Sequence, residues 1–280
     1  MWTDSLPTWF AEHGRHHLPW RLTTDPWRVL VSEVMLQQTS VGRVLPRWDR
    51  FLCRWPDAAV CAAASLDDVL REWQGLGYPR RARALWLTAA RVTAGGWPAD
   101  DVGLQALPGV GSYTARALLA FSDVGTARVP PRDVNIGRVA ARAVLGSEPA
   151  HVSASVLDAV IGESRPPGMP IREYTYALFD VGALHCRSQP RCEGCPLAHG
   201  CAFRRSGAVV VRRHHPRYQG SLRQLRGAIL ATVLENPRLA SASLRRAVSG
   251  IAGATPQRFD EAFASLVIDG LLPGSDAGVC

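Results

Sequence analysis

The sequence predicts an all-α fold. Apolar residues recur at helical spacing along nearly the whole chain, and turn or capping residues bound the runs. A third observation is negative: no segment sustains period-two alternation, apart from a short strand-like run at Val209–Val211. Asp25-Pro26 is an N-cap followed by proline at the first helical position, and predicts a helix through about Gln38. Further helices are expected over Gly42–Trp55, Ser65–Gln74, Arg80–Thr93, Asp101–Ala106 and Ser112–Phe121. Pro56, the Gly75–Gly77 pair, Gly95-Gly96 and Pro108-Gly109 supply the turns between them. After Asp133 the pattern gives helices near Asn135–Leu145, Ser155–Gly162 and Ile171–Ala183, then a cysteine loop. Residues 204–217, with Arg204, Arg205, Arg212, Arg213, His214, His215 and Arg217, read as a basic linker. Beyond it come an amphipathic helix at Leu222–Glu235, another at Leu244–Val248, and a Thr255-Pro256-capped helix to Val267. Three short helices with a hairpin suggest a small winged-helix-like C-terminal module.

A chain of 280 residues holds one large domain or two smaller ones, each with its own core. Asp4 and Glu12 at the start, with no apolar run between, argue against a signal peptide, and no stretch reaches the length of a membrane span. A soluble, intracellular protein is expected. The net charge is +8 and the pI about 9.6, which favours an anionic partner, although basic surfaces often bind nothing in particular. All 32 cationic side chains are arginine, a bias that nucleotide composition alone can produce. It has a chemical consequence nonetheless: no lysine side chain exists to form a Schiff base.

Five motifs carry chemistry. Leu107-Pro108-Gly109-Val110-Gly111 between a short and a longer helix is a helix-hairpin-helix pattern. Its exposed N–H groups and the second helix's N-terminus can hold a DNA phosphate without reading sequence. Asp133 follows it; an N-cap is the ordinary role of such a residue, yet a cap also holds an ionised carboxylate, as an oxocarbenium-like transition state requires. Glu33 lies in the apolar helix Val29-Leu30-Val31-Ser32-Glu33-Val34-Met35, where it either faces solvent or is buried and kept protonated as a general acid. Cys186, Cys192, Cys195 and Cys201, with gaps of five, two and five residues, read as ligands of zinc or a [4Fe–4S] cluster, and the spacing alone favours neither. Cys53 and Cys61 sit among apolar residues and are expected to pack in the core. Finally, Trp73-Gln74-Gly75-Leu76-Gly77-Tyr78-Pro79-Arg80-Arg81-Ala82-Arg83 sets an aromatic beside arginines; Arg80, Arg81 and Arg83 would grip phosphates while the ring wedges into the stack.

In this order the motifs, together with Gly14-Arg15-His16, Leu18-Pro19-Trp20-Arg21 and Gln37-Gln38-Thr39, resemble the A/G-specific adenine DNA glycosylases (the MutY family) of the endonuclease III superfamily, over roughly residues 9–203. The resemblance implies a two-lobed helix-hairpin-helix glycosylase fold with the target base between the lobes. One lobe would be a six-helix barrel over 24–128, the other an iron–sulfur lobe of 1–23 and 129–203, followed by the 204–217 linker and the 218–280 module. Glu33 matches the acid that protonates adenine N7, Asp133 the carboxylate that stabilises the sugar cation, and Asn135 a residue supporting the catalytic site. Tyr113 stands where lyase-active relatives carry lysine. Leu18, Trp20, Arg21 and Val41 match the adenine pocket, and Gln38 and Tyr78 the intercalating wedge. The four cysteines match a [4Fe–4S] cluster, which is why iron–sulfur is preferred to zinc.

The chain departs from that pattern in places. Its first cysteine gap is one residue short, Pro79 replaces a second aromatic, and Pro131-Arg132 precede Asp133 where apolar residues are usual. Tyr176 stands where many members place a Glu or Gln that contacts adenine. The tail is too short and too helical for the MutT-like domain that helps read 8-oxoguanine, and looks like the short tail of actinobacterial members. The implied function is monofunctional hydrolysis of the N-glycosidic bond of adenine mispaired with 8-oxoguanine or guanine. Alternatives are a thymine or uracil mismatch glycosylase of the same superfamily and a non-catalytic iron–sulfur DNA-binding regulator. The expected partner is mismatched double-stranded DNA, with no membrane and no small-molecule cofactor. The chain is expected to act as a monomer in the bacterial cytoplasm, at the nucleoid.

Overall fold

The computed structural model describes residues 2–207, 210 and 217–273, and among them every regular element is helical. In chain order the α-helices are α1 (Leu6–His13), α2 (Pro26–Leu36), α3 (Val41–Arg54), α4 (Ala58–Ala63), α5 (Leu66–Trp73), α6 (Arg80–Gly95), α7 (Asp101–Gln105) and α8 (Ser112–Phe121). They continue as α9 (Val134–Leu145), α10 (Ala154–Glu163), α11 (Ile171–Leu184), α12 (Ala202–Ser206), α13 (Leu222–Glu235), α14 (Ser241–Val248) and α15 (Pro256–Ile268). Short 3-10 turns occur at Pro19–Arg21 and Pro149–His151. By contact the chain forms two compact units, residues 1–33 with 97–213, and residues 34–96 with 214–280. None of the described helices is long and apolar enough to cross a membrane.

The first unit is organised around α9. Ile136, Gly137, Val139, Ala140, Ala141 and Ala143 are all buried, so this helix is apolar nearly all round and is enclosed by α10, α11 and α12. Its N-cap is Asp133, whose Oδ1 accepts the Asn135 and Ile136 N–H groups at 2.9 and 2.8 Å. A carboxylate is thereby fixed at the end of the unit's central helix. Helix α11 crosses close by: a Cβ on Gly182 would stand 2.9 Å from the Asn135 Cβ, so glycine is what lets the two backbones approach.

The second unit packs α4 and α5 on α6, and α14 and α15 on α13. Helix α3 shows the expected amphipathic spacing, burying Val44, Trp48, Phe51 and Leu52. Side-chain caps start α4, α5, α13 and α15: Asp57, Ser65, Ser221 and Thr255 each accept a first-turn N–H.

The helix predicted to reach Gln38 stops at Leu36. Gln38 has φ +56°, in the left-handed region that costs a non-glycine residue about 1–2 kcal/mol. The carbonyls left over by the early stop are taken up from outside the helix. Arg81 Nη1 donates to Val34, Met35 and Gln37 oxygens at 2.6, 3.3 and 2.7 Å, while Nη2 donates to Leu76 and Gly77 oxygens at 2.9 and 3.0 Å.

Helices α1, α4 and α12 were not legible in the pattern, being short or alanine-rich with too few apolar repeats to show a period. Arg204 and Arg205, expected in the linker, form the last turn of α12. The rest of that segment at 208–209 and 211–216, and with it Val209 and Val211 of the strand-like run, lies outside the described residues. No strand occurs among the described residues of the C-terminal module, so no wing hairpin is among them. Cys61 is buried as expected, but Cys53 is exposed on the polar side of α3, away from its Phe51–Leu52 face.

Candidate active site

Glu33 is set by α2, whose surrounding residues Val29, Leu30, Val31, Val34 and Met35 are themselves buried. Only 7% of Glu33 is exposed. The Tyr113 hydroxyl, near the start of α8, donates to Glu33 Oε2 at 2.8 Å. Burial pushes the Glu33 carboxyl up to about 7, and the negative field of Asp133 adds to the rise; the Tyr113 hydrogen bond and Arg21 pull the other way without cancelling it. Tyr113 itself is raised far above its ordinary range by burial and by the two carboxylates, so it acts as a neutral donor. Because Tyr113 occupies Oε2, Oε1 is left to carry an acid proton.

Asp133 meets donors at both oxygens. Besides the two backbone N–H groups, Asn135 Nδ2 donates to Oδ2 at 2.6 Å. Burial raises this carboxyl and the three N–H donors oppose the rise, with burial the larger effect. A carboxylate surrounded by N–H donors is used as an acceptor only, which is the role of its ionised form. Asn135 is held in turn: Arg138 Nη2 donates to its Oδ1 at 2.8 Å, and Arg138 Nε donates to the Cys186 carbonyl at 2.6 Å. A continuous hydrogen-bonded chain thus runs from the cysteine loop to the Asp133 carboxylate.

Beside this pair lies a buried ionic group that the sequence reading did not find. Arg21 forks onto Asp180 with contacts of 2.8 and 2.9 Å, and Arg15 adds its Nε at 2.6 Å and its backbone N–H at 2.9 Å. Burial alone would raise Asp180; the Arg21 fork and Arg15 outweigh it and hold the carboxyl below its ordinary range. The Arg21 guanidinium lies 4.4 Å from the centre of the Tyr176 ring, which stacks on Phe121 at 4.4 Å. Asp180 had a readable signal, a carboxylate within apolar α11, which is the argument applied to Glu33. Leu18 and Trp20 are buried on the same short segment as Arg21.

The Pro131-Arg132 departure also has a structural account. Asp158 of α10 takes both Arg132 and Arg116, the latter at 2.9 Å, so the unusual arginine is neutralised and ties the approach of Asp133 to α8. In the hairpin, Gly109 has φ +72° and Val110 is buried. Gly111 is the N-cap of α8, where no side chain takes up the first-turn N–H groups.

The remaining predicted site residues belong to the second unit. Val41 is the first residue of α3 and is half-buried. Gln38 and Tyr78 are the two described non-glycine residues with positive φ, at +56° and +48°. Arg80 is largely exposed, 3.6 Å from Asp269, and Arg83 lies against Gly270. Arg81, expected as a phosphate grip, instead turns both terminal nitrogens onto the five carbonyls named above. Burial lowers it to about 10, still a cation at neutral pH.

Cys186, Cys192, Cys195 and Cys201 line one cavity with Val139, Leu197 and Phe203. Yet among the described residues no three His, Cys, Asp or Glu side chains are placed to hold a single metal ion.

Residues 31–154, which carry Glu33, Tyr113 and Asp133, match the family described as HhH-GPD superfamily base excision DNA repair protein. The fold is similar to that of a thermostable thymine-DNA glycosylase, with a TM-score of 0.63 at 23% identity over 72% of this chain and 94% of the other. An endonuclease III from a non-covalent DNA complex gives 0.60 at 21%, over 73% and 94%. Among sequences, the adenine DNA glycosylase of Mycolicibacterium smegmatis is 40% identical over 275 residues, covering 95% of this chain and 91% of the relative. That of Mycobacterium tuberculosis (strain H37Rv) is 40% identical over 279 residues, covering 96% and 89%. The chain belongs to the adenine DNA glycosylase family.

Proposed function

We propose that this chain hydrolyses the N-glycosidic bond of adenine mispaired with 8-oxoguanine or guanine, as a monofunctional base-excision enzyme. The observation that carries the reading is the pairing of a buried, proton-holding Glu33 with a donor-saturated Asp133. Two carboxylates tuned apart by their surroundings are what acid-assisted glycosidic cleavage needs. In this reading the adenine is flipped out of the stack. Glu33 gives its proton to N7, and the C1′–N9 electron pair leaves with the base. Asp133 stabilises the sugar cation until water adds at C1′ and gives up a proton. Leu18, Trp20 and Arg21 of the first unit contribute to the base pocket, where the buried Arg21 Nε, which has no hydrogen-bond partner, is a donor for an acceptor on the base. The N–H groups at Gly109 and Gly111 take a DNA phosphate, while that of Val110, expected beside them, instead closes the hairpin onto the Leu107 carbonyl at 3.1 Å. Gln38 and Tyr78 enter the duplex, and the exposed Arg80 is a phosphate contact.

Single-turnover base release tests this on duplexes with adenine opposite 8-oxoguanine, adenine opposite guanine, and thymine opposite guanine, each with and without alkali. Cleavage at adenine that needs alkali supports the proposal; release of thymine alone overturns it. The absence of lysine accounts for the absent lyase step, and Tyr113→Lys provides a check. That variant is expected to yield a borohydride-trapped enzyme–DNA adduct, which the native enzyme does not, together with slower excision because Glu33 loses its partner.

For the cofactor, we propose a [4Fe–4S] cluster on the four cysteines in preference to zinc, because all four line one cavity in a chain of the adenine DNA glycosylase family, whose resemblance implies that cluster. Its place on this chain is to order the loop that Arg138 connects to Asn135. Purified protein should contain about four irons and show brown absorbance, and Cys195→Ala should lose both. Zinc without iron would refute the assignment.

A further inference from the structure

Tyr78 is an aromatic residue in a conformation that normally favours glycine. Such a residue persists only where its surroundings hold it. One support comes from below: the half-buried Arg81 guanidinium, bonded to the Leu76 and Gly77 carbonyls, lies 5.5 Å from the ring centre. The second comes from the C-terminal helices. Arg223, on the first turn of α13, donates from Nη1 to the Tyr78 hydroxyl at 2.9 Å. Its guanidinium is 5.8 Å from the Tyr78 ring and 5.1 Å from the ring of Tyr218, which leads into α13. The Tyr78 ring is therefore gripped by one cation at its base and by another at its hydroxyl tip.

The contact is part of a wider docking within the same compact unit. Arg71 of α5 donates twice to the Leu234 carbonyl at the end of α13, at 3.2 and 3.1 Å. Asp269, just after α15, pairs with Arg226 of α13 and stands 3.6 Å from Arg80, the first residue of α6. Helix α13 is thus fixed at one end to α5, and α15 to the start of α6, two residues past Tyr78. These contacts give Arg223 a fixed base from which to reach the ring.

We propose that Arg223 is a positioning residue for Tyr78, so that the C-terminal helices set the orientation in which this ring meets DNA. The proposal rests on the reading of Tyr78 as a residue that enters the duplex. A side chain that must part a base stack loses less freedom on binding if its ring is already oriented, and the gain appears in the rate of base extrusion. Arg223 acts through the Tyr78 hydroxyl, not as a phosphate contact of its own. Its removal should therefore slow excision without changing how steeply binding depends on salt, whereas loss of a phosphate contact lowers that slope by about one unit.

The test is a double-mutant cycle of Arg223→Met and Tyr78→Phe in the full chain, with Tyr78→Ala alongside. Three quantities are read: single-turnover excision of adenine opposite 8-oxoguanine, fluorescence of 2-aminopurine beside the target base, and the salt slope of binding. Arg223→Met and Tyr78→Phe should each slow excision about tenfold, the scale of one charge-assisted hydrogen bond. The double variant should be no slower than either single one, because both remove the same contact. Weaker 2-aminopurine unstacking and an unchanged salt slope complete the expected result. Multiplying effects, or a lower slope in Arg223→Met, would overturn the proposal. If Tyr78→Ala is slow while Arg223→Met keeps the native rate, the positioning role alone fails. If Tyr78→Ala itself keeps the native rate, the reading of Tyr78 as a wedge fails, and the proposal with it.

Discussion

Asp133→Asn is expected to abolish adenine release while duplex binding stays within a few-fold of the native value. The substituted amide keeps one oxygen for the backbone N–H groups of Asn135 and Ile136, so the cap of α9 survives. Its NH2 group now faces Asn135 Nδ2, which donates at 2.6 Å in the native protein, and two donors oppose each other there. More decisive is the loss of negative charge beside C1′. Removing one preorganised electrostatic contact to a transition state costs about 10²- to 10³-fold, and a full charge facing an oxocarbenium should cost at least the upper end of that range. Single-turnover excision and equilibrium binding, measured on the same duplex, separate the two effects. Retention of more than a tenth of the native rate would sink the assignment.

Glu33→Gln should lower the excision rate by about 10²- to 10⁴-fold, the usual contribution of a positioned general acid. The native pH profile gives an independent check. Glu33 must be protonated to act, and its carboxyl sits at about 7, so the native rate should fall as pH rises through 7. The variant should lack that limb. Stability falls with rising pH as well, so the substitution that lowers the rate should raise stability at high pH. The folded value of about 7 lies above the ordinary 4.5, so the native state holds this proton more tightly than the unfolded chain does. The stabilising contribution of the protonated carboxyl is fully present below pH 4.5 and is lost as pH rises towards and past 7. The difference is worth roughly 3 kcal/mol, because the charged form is buried. Glu33→Gln escapes that loss and should melt at a higher temperature than the native protein at pH 8, with the advantage vanishing near pH 4. Equal melting at both pH values would show that Glu33 is not the desolvated acid described here.

The chemistry-bearing residues were legible because each breaks a local rule. Glu33 is a carboxylate in an apolar helix, Asp133 caps a helix just after a glycine hairpin, and four cysteines crowd into one loop. Each anomaly lies within a few residues, so the linear order displays it. Asp180 broke the same rule as Glu33 and could have been read. Arg138 and Arg223 could not: arginines are ordinary in this chain, and the contacts with Cys186 and Tyr78 that give them their roles span 48 and 145 residues.

From the sequence by itself came the all-α class, the positions of most helices, the hairpin, the candidate acid and carboxylate, and the lack of any lysine nucleophile. These follow from periodicity, capping and residue chemistry, which act over a few neighbouring residues. Only the tertiary structure decided that Glu33 is buried against Tyr113, that Arg21 belongs to a buried group with Asp180, and that Arg81 points inward. Burial and the choice of partner depend on which helices meet, and that is settled by packing between segments far apart in the chain. The left-handed turns at Gln38 and Tyr78 belong to the same class, since the side chains that contact them, Arg81 and Arg223, come from other elements of the chain.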